Sequence, residues 1–182
     1  MKLIKTLITT ALLGASVFSF QSTVYAMENE QIDKILHLFE QKDFKSALAI
    51  IRPLAEQGDG VAQGMLAMLY RNGDGIKQDY FEAIKWYKKS AEQGVDIAQY
   101  ELAGMYINGL GVKQNYQEAI KWYQKAAENN NPQAQAIVGA AYMGGIGVKQ
   151  NFATAKKWFG KACDNKEQKG CEMYKQLNQG TK

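Results

Sequence analysis

The chain has 182 residues, of which 46% are hydrophobic, and a formal net charge of +4. So mild a charge implies no long-range attraction to nucleic acid or to a membrane surface. With one histidine, and two cysteines that are expected to pair with each other, too few ligands remain for a structural or catalytic zinc site, and no cofactor is expected.

The first 26 residues stand apart from the rest. Lys2 and Lys5 make a short positive start. Residues 7–20 are apolar except for Thr9, Thr10, Gly14, Ser16 and Ser19, and Val24-Tyr25-Ala26 ends in the small residues a signal peptidase reads. This is the pattern of a secretory signal peptide cleaved after Ala26. The apolar run is shorter than the ~20 residues a membrane span needs. No cysteine lies near the cleavage point to carry a lipid. The expected destination is the periplasm or the exterior, with no stable membrane anchor after cleavage. Cleavage would leave residues 27–182 with a net charge of +2, since Lys2 and Lys5 are the only charges lost. By length this is a single domain.

The mature chain opens with residues 28–41, read as a helix with Ile32, Ile35, Leu36 and Phe39 on one face. Residues 44–57 read as its partner, with Ala47, Leu48, Ile51 and Leu54 inward. This hairpin, within 27–60, is expected to act as an N-terminal cap.

From residue 61 the chain repeats itself at an offset of 36. Ala62, Leu66, Tyr70, Gly75, Tyr80, Ala83, Trp86 and Ala91 recur as Ala98, Leu102, Tyr106, Gly111, Tyr116, Ala119, Trp122 and Ala127. They recur again as Ala134, Val138, Tyr142, Gly147, Phe152, Ala155, Trp158 and Cys163, so all three tryptophans share one repeat position. A fixed period of this length marks a solenoid. The units run 61–96, 97–132 and 133–168. Residues 169–182 form a C-terminal capping helix and tail, whose helix starts near 168 and places Met173, Tyr174 and Leu177 over the last apolar face.

Each unit reads as two antiparallel helices. Ala98, Leu102, Met105 and Tyr106 have helical spacing, and Gly109 and Gly111 stop the first helix. A loop of the form Gly-x-Gly-(Ile/Val)-Lys-Gln-(Asp/Asn) comes next. Asn115 with Glu118, like Asp79 with Glu82, has the pattern of a capping box, in which the acid reaches back to the cap N–H. Asn151 keeps the cap but Thr154 replaces the acid, so the third copy is expected to cap slightly less well. Small residues recur where helices should touch: Ala67, Ala103 and Gly139 in the first helix, and Ala83, Ala119 and Ala155 in the second. One hairpin cannot bury its own apolar face, whereas stacked hairpins can.

The pattern Ala-x-x-x-Leu-Ala-x-x-Tyr, the Gly-x-Gly loop, and Ala-x-x-Trp-Tyr followed by Ala-Ala resemble the Sel-one-like repeat, a variant of the tetratricopeptide repeat. The resemblance covers about 61–169. The first hairpin resembles the shorter tetratricopeptide form, with Phe44, Ala47 and Ala55 aligned on Tyr80, Ala83 and Ala91. The resemblance implies an all-α solenoid of stacked hairpins, wound as a right-handed superhelix, and a role in protein–protein interaction.

Cys163 ends the last second helix and Cys171 begins the terminal helix, and in an array those ends lie side by side. An even cysteine count in a secreted chain favours a disulfide. The same spacing occurs in the cysteine-rich branch of the family, where each repeat is closed by a bridge. This chain departs from that branch, with Ala91 and Gln99, and Ala127 and Gln135, at the matching positions. The pair is not Cys-x-x-Cys and has no histidine nearby, which speaks against a redox or metal role.

Catalytic residues are hard to find. His37, between Leu36 and Leu38, reads as a surface residue of the capping hairpin. Beyond residue 26 the only serines are Ser46 and Ser90, and neither begins Ser-x-x-Lys. Members of the cysteine-rich branch imply, as a minor alternative, binding of cell-wall peptides or β-lactams with weak β-lactamase-like activity. No residue can be assigned to it, and the chain is not expected to be an enzyme. Lys77, Lys113 and Lys149 form one ladder and Lys85, Lys121 and Lys157 another; with Glu82, Glu92, Glu118 and Glu128 beside them they read as a solvated face.

The resemblance also implies a concave surface lined by the first helices. Carried onto this chain, that face comprises Gly64, Met68, Arg71 and Asn72; Tyr100, Gly104, Ile107 and Asn108; and Ala136, Ala140 and Met143. These positions vary while the framework repeats. Met68, Tyr100, Ile107 and Met143 are apolar where a purely solvated face would be polar, which suits a peptide or helix ligand. Tyr100 and Ile107 are the expected anchors, with Arg71, Asn72 and Asn108 as polar contacts. The expected function is therefore a protein-binding adaptor. A secreted factor that engages a host protein is a further alternative.

Overall fold

The computed structural model describes residues 29–179, and the leader pattern and its cleavage point lie outside them. The described residues form helices α1 (Asn29–Glu40), α2 (Phe44–Glu56), α3 (Gly60–Asn72), α4 (Tyr80–Glu92), α5 (Asp96–Asn108), α6 (Tyr116–Glu128), α7 (Pro132–Gly144), α8 (Phe152–Asp164) and α9 (Gln168–Gln179). No strand occurs among the described residues. Each helix packs chiefly on its neighbours in sequence, so the hairpins α3–α4, α5–α6 and α7–α8 stack in chain order. This is the all-helical solenoid the period implies. The first helices of the three units begin at Gly60, Asp96 and Pro132, one residue before the expected starts.

The core is built mainly from the repeated positions. Ala67, Ala103, Ala83, Ala119 and Ala155 are fully buried, and Leu66, Leu102 and Val138 fill the space beside them. Small size at these positions sets the helix spacing. In the third unit Gly139 stands for Ala67 and Ala103 because Phe159 crowds it: a Cβ there would lie 2.8 Å from the ring. In the capping hairpin Ile35, Ala47 and Ile51 are buried, but Leu36 is 48% exposed. The inner face of α1 runs through Ile32, Ile35 and Phe39, so Leu36 is corrected to the rim of that stripe.

The loops explain two more repeated residues. Gly111 has φ +68° and lies directly on the Tyr80 carbonyl at the start of the preceding unit's second helix. A side chain would be strained and would strike backbone. Gln78, Gln114 and Gln150 each donate from Nε2 to the carbonyl of Arg71, Ile107 and Met143, at 2.8, 2.6 and 2.8 Å. They satisfy carbonyls that a helix end leaves without partners.

The capping box is corrected in part. Asn115 Oδ1 accepts from the Glu118 N–H at 3.0 Å, as expected. The Glu118 carboxylate does not reach back, because the Asn115 N–H already donates to the Tyr106 carbonyl. It accepts instead from the Trp122 indole N–H at 3.1 Å, and Glu82 does the same for Trp86. The third unit's cap is therefore intact, with Asn151 accepting from the Thr154 N–H at 2.9 Å. What Thr154 removes is a carboxylate beside Trp158.

Candidate functional site

An apolar cleft forms between α3 and α5. Its volume is about 320 Å³. Val61, Met65 and Met68 of α3 face Ile97 and Ala98 of α5, with Phe39 of α1 at one end and Tyr87 of α4 beneath. Gly64 lets α3 lie close on α4: a Cβ there would meet the buried Ser90 hydroxyl at 3.1 Å. Val61 and Ile97 are 44% and 64% exposed, unusual values for aliphatic residues that sit together. At one edge the Arg71 guanidinium pairs with the Glu101 carboxylate, a half-buried link between neighbouring units. Burial pushes the Tyr87 hydroxyl well above the usual phenol range, so the floor of the cleft carries no charge near neutrality.

The expected site residues fall into two groups. Met68 lines the cleft and Arg71 borders it through Glu101. Tyr100 lies on the adjoining face, its ring edge-on to Tyr123 with centroids 5.3 Å apart. Burial, with help from Tyr100 and Glu101, pushes the Tyr123 hydroxyl up to about 12. Ile107 is half-buried against the core, further along the same helix. The polar residues are engaged within the chain. Asn72 accepts from Arg71 at 3.2 Å and donates to Asp74 at 3.0 Å, and Asn108 donates to the Gly104 carbonyl at 2.8 Å. Met143 is half-buried at the far end of α7.

Sequence reasoning missed Val61, Met65, Ile97 and Glu101. A signal was available for two of them: Val61 and Ile97 are aliphatic at a repeat position that is Gln133 in the third unit.

A second feature was also missed, a ladder of buried amides. Gln63, Gln99 and Gln135 donate to the carbonyls of Ala55, Ala91 and Ala127 at 3.1, 3.1 and 3.0 Å. Their own carbonyls accept from Gln93, Asn129 and Asn165 at 2.8, 3.1 and 2.9 Å. Cys163 and Cys171 form a disulfide at the equivalent pair of positions, with Cα atoms 4.4 Å apart.

The hydroxyls of Ser46 and Ser90 are both committed to structure. Ser46 donates to Asp43 at 2.6 Å, and fully buried Ser90 donates to the Gly60 carbonyl at 2.5 Å. His37 lies at the surface beside Gln41 and Glu40. Among the described residues no cluster of three metal-ligating side chains occurs, and no helix is long and apolar enough to cross a membrane.

A helical repeat array with an apolar cleft between first helices is the architecture of a binding scaffold. The Sel1 repeat model matches residues 60–95, 96–131 and 132–166, and the chain belongs to that family. Proteins of the family generally mediate protein–protein interactions and are typically non-enzymatic. The chain is similar to a Sel1 repeat protein from Oxalobacter formigenes, at 33% identity and a TM-score of 0.70, over 72% of this chain and 54% of that one. It is similar to c5321, a protective antigen of uropathogenic Escherichia coli strains with an SLR fold, at 38% identity and a TM-score of 0.70, over 74% of this chain and 30% of that one. Cysteine rich protein B of Helicobacter pylori shares the fold at 24% identity and a TM-score of 0.58, over 72% of this chain and 94% of that one. The chain spans about half the length of the first of these proteins and under a third of the second. No curated protein matches the sequence with significance.

Proposed function

We propose that the protein is an adaptor that works outside the cytoplasm and seats an apolar segment of a partner protein on its first helices. The observation that carries this reading is the cleft of about 320 Å³ between α3 and α5. Met68, Val61 and Ile97 supply its contact area, and methionine side chains adapt to an irregular ligand. Tyr100 and Ile107 extend the same face toward α7, and Arg71 with Glu101 offers a charged edge. The disulfide supports an oxidising compartment, as does the leader pattern.

The test is a cross-linking pull-down from native envelope extract with three baits: the mature chain, Met68→Glu with Ile97→Glu, and Tyr100→Ala with Ile107→Ala. Each is checked for unchanged helicity. The first variant should lose the captured partner and the second should weaken its capture. Capture of the same set by all three baits would overturn the site.

A second reading, a secreted factor that meets a host protein, draws support from the likeness to a protein described as a protective antigen. Under that reading the same baits capture their partner from host extract and nothing from the envelope.

A further inference from the structure

The last repeat departs from the other two at three neighbouring positions on α8. Lys156 stands where the earlier units have Ile84 and Ile120. Thr154 stands where Glu82 and Glu118 pair with Lys85 and Lys121, at 2.9 and 3.3 Å. Gly160 stands where the earlier units have Lys88 and Gln124, and the Tyr174 ring of α9 lies against it. The first change adds a cation, the second removes its neighbour's counter-charge, and the third admits an aromatic face. Among the described residues neither Lys156 nor Lys157 has an ion-pair partner.

Lys156 and Gly160 line an open cleft of about 560 Å³ between α8 and α9 together with Lys157, Lys161, Asp164 and Tyr174, and Thr154 lies outside that lining. The charge of the whole chain is skewed toward it. Residues 27–148 carry twelve basic and fifteen acidic side chains, a net of −3; residues 149–182 carry eight and three, a net of +5.

We propose that this cleft is a second docking site, which takes an acidic segment of a partner protein. Carboxylates of the segment sit on Lys156, Lys157 and Lys161, and one apolar or aromatic side chain stacks on Tyr174. The site is separate from the cleft on the first helices and does not depend on it. A long polyanion fits less well, because the segments that run past the patch lie against a surface of net negative charge and gain no attraction there.

The test uses the purified chain and a fluorescein-labelled peptide with three glutamates on each side of one tyrosine. Fluorescence anisotropy should show binding that weakens by about tenfold or more between low and high salt. Lys156→Ile with Lys157→Gln should lower the affinity at least about fivefold; isoleucine already stands at the equivalent helical positions 84 and 120, and glutamine is a good helix former at the exposed position 157. Gly160→Gln should also lower it, with no change in charge. Lys85→Gln with Lys121→Gln should leave it unchanged, although that pair removes the same charge. Equal losses from the two lysine pairs would reduce the site to diffuse charge and overturn the proposal. So would tighter binding of a single-stranded oligonucleotide or of phosphatidylglycerol vesicles than of the peptide.

Discussion

The chain closes the same span of eight residues at four successive joints, three times with an amide and once with sulfur. Ala55 and Gln63, Ala91 and Gln99, and Ala127 and Gln135 are hydrogen-bonded pairs; Cys163 and Cys171 are covalently joined. The difference lies in what surrounds each joint. Every glutamine needs a donor for its own carbonyl, and the end of the next second helix provides one through Gln93, Asn129 or Asn165. After α9 there is no such second helix among the described residues. A glutamine at the half-buried position 171 would lack that second partner, and a half-satisfied amide would fasten the helix less well than the other three. A disulfide needs no second partner. It also fastens a helix that buries little: in α9 only Gly170 is fully enclosed, with Met173, Tyr174 and Leu177 half-buried.

Opening the covalent joint tests this contrast most directly. Cys163→Ala with Cys171→Ala should cost roughly 2–3 kcal/mol, from the loop entropy of a short closure. The loss should fall on α9 first. Hydrogen exchange should accelerate over 168–179 while α3 to α6 stay protected; uniform acceleration along the array would contradict a local role. Gln99→Ala should cost about 2 kcal/mol in denaturant unfolding, because it removes two hydrogen bonds and leaves the buried Ala91 carbonyl without its side-chain donor. If the cost is instead within a few tenths, the amide ladder is ornamental.

The two types of joint can also be exchanged. Ala127→Cys with Gln135→Cys should oxidise spontaneously, leaving no thiol in a titration under denaturing conditions. Its net stability should change by no more than about 1 kcal/mol, since the gained closure offsets the lost hydrogen bonds. Free thiols would show that the two joints are not geometrically equivalent. Thr154→Glu should raise stability by about 0.5–1 kcal/mol, by giving Trp158 the acceptor that Trp86 and Trp122 already have. The same change places a carboxylate beside Lys157 and should weaken binding of the acidic peptide to the cleft between α8 and α9. Smallest of all, Lys166→Gly should gain up to about 1 kcal/mol. Lys166 sits at φ +65° where the first two units hold Gly94 and Asn130, and a side chain is strained there.

Sequence alone determined the architecture: the period, the hairpins, the loop glycines, the helix caps and the cysteine pair. For all but the cysteine pair it could do so because each rests on a local rule repeated three times, so that chance agreement at any one position is averaged away; the pair was legible from its even count and its place at two adjoining helix ends. Tertiary structure alone decided where side chains go when two partners compete for them. Glu118 was legible as a capping acid, but the Tyr106 carbonyl claims the cap N–H and leaves the acid to Trp122. Leu36 fits a helical stripe, but only Ile32, Ile35 and Phe39 of that stripe pack into the core. The glutamines at 63, 99 and 135 look like surface residues by type, and their burial stems from carbonyls supplied eight residues earlier and amides supplied 30 residues later. The cleft between α3 and α5 has the same origin. Val61 and Ile97 lie 36 residues apart in the chain, and they become one surface only because the stacking of whole hairpins brings α3 beside α5.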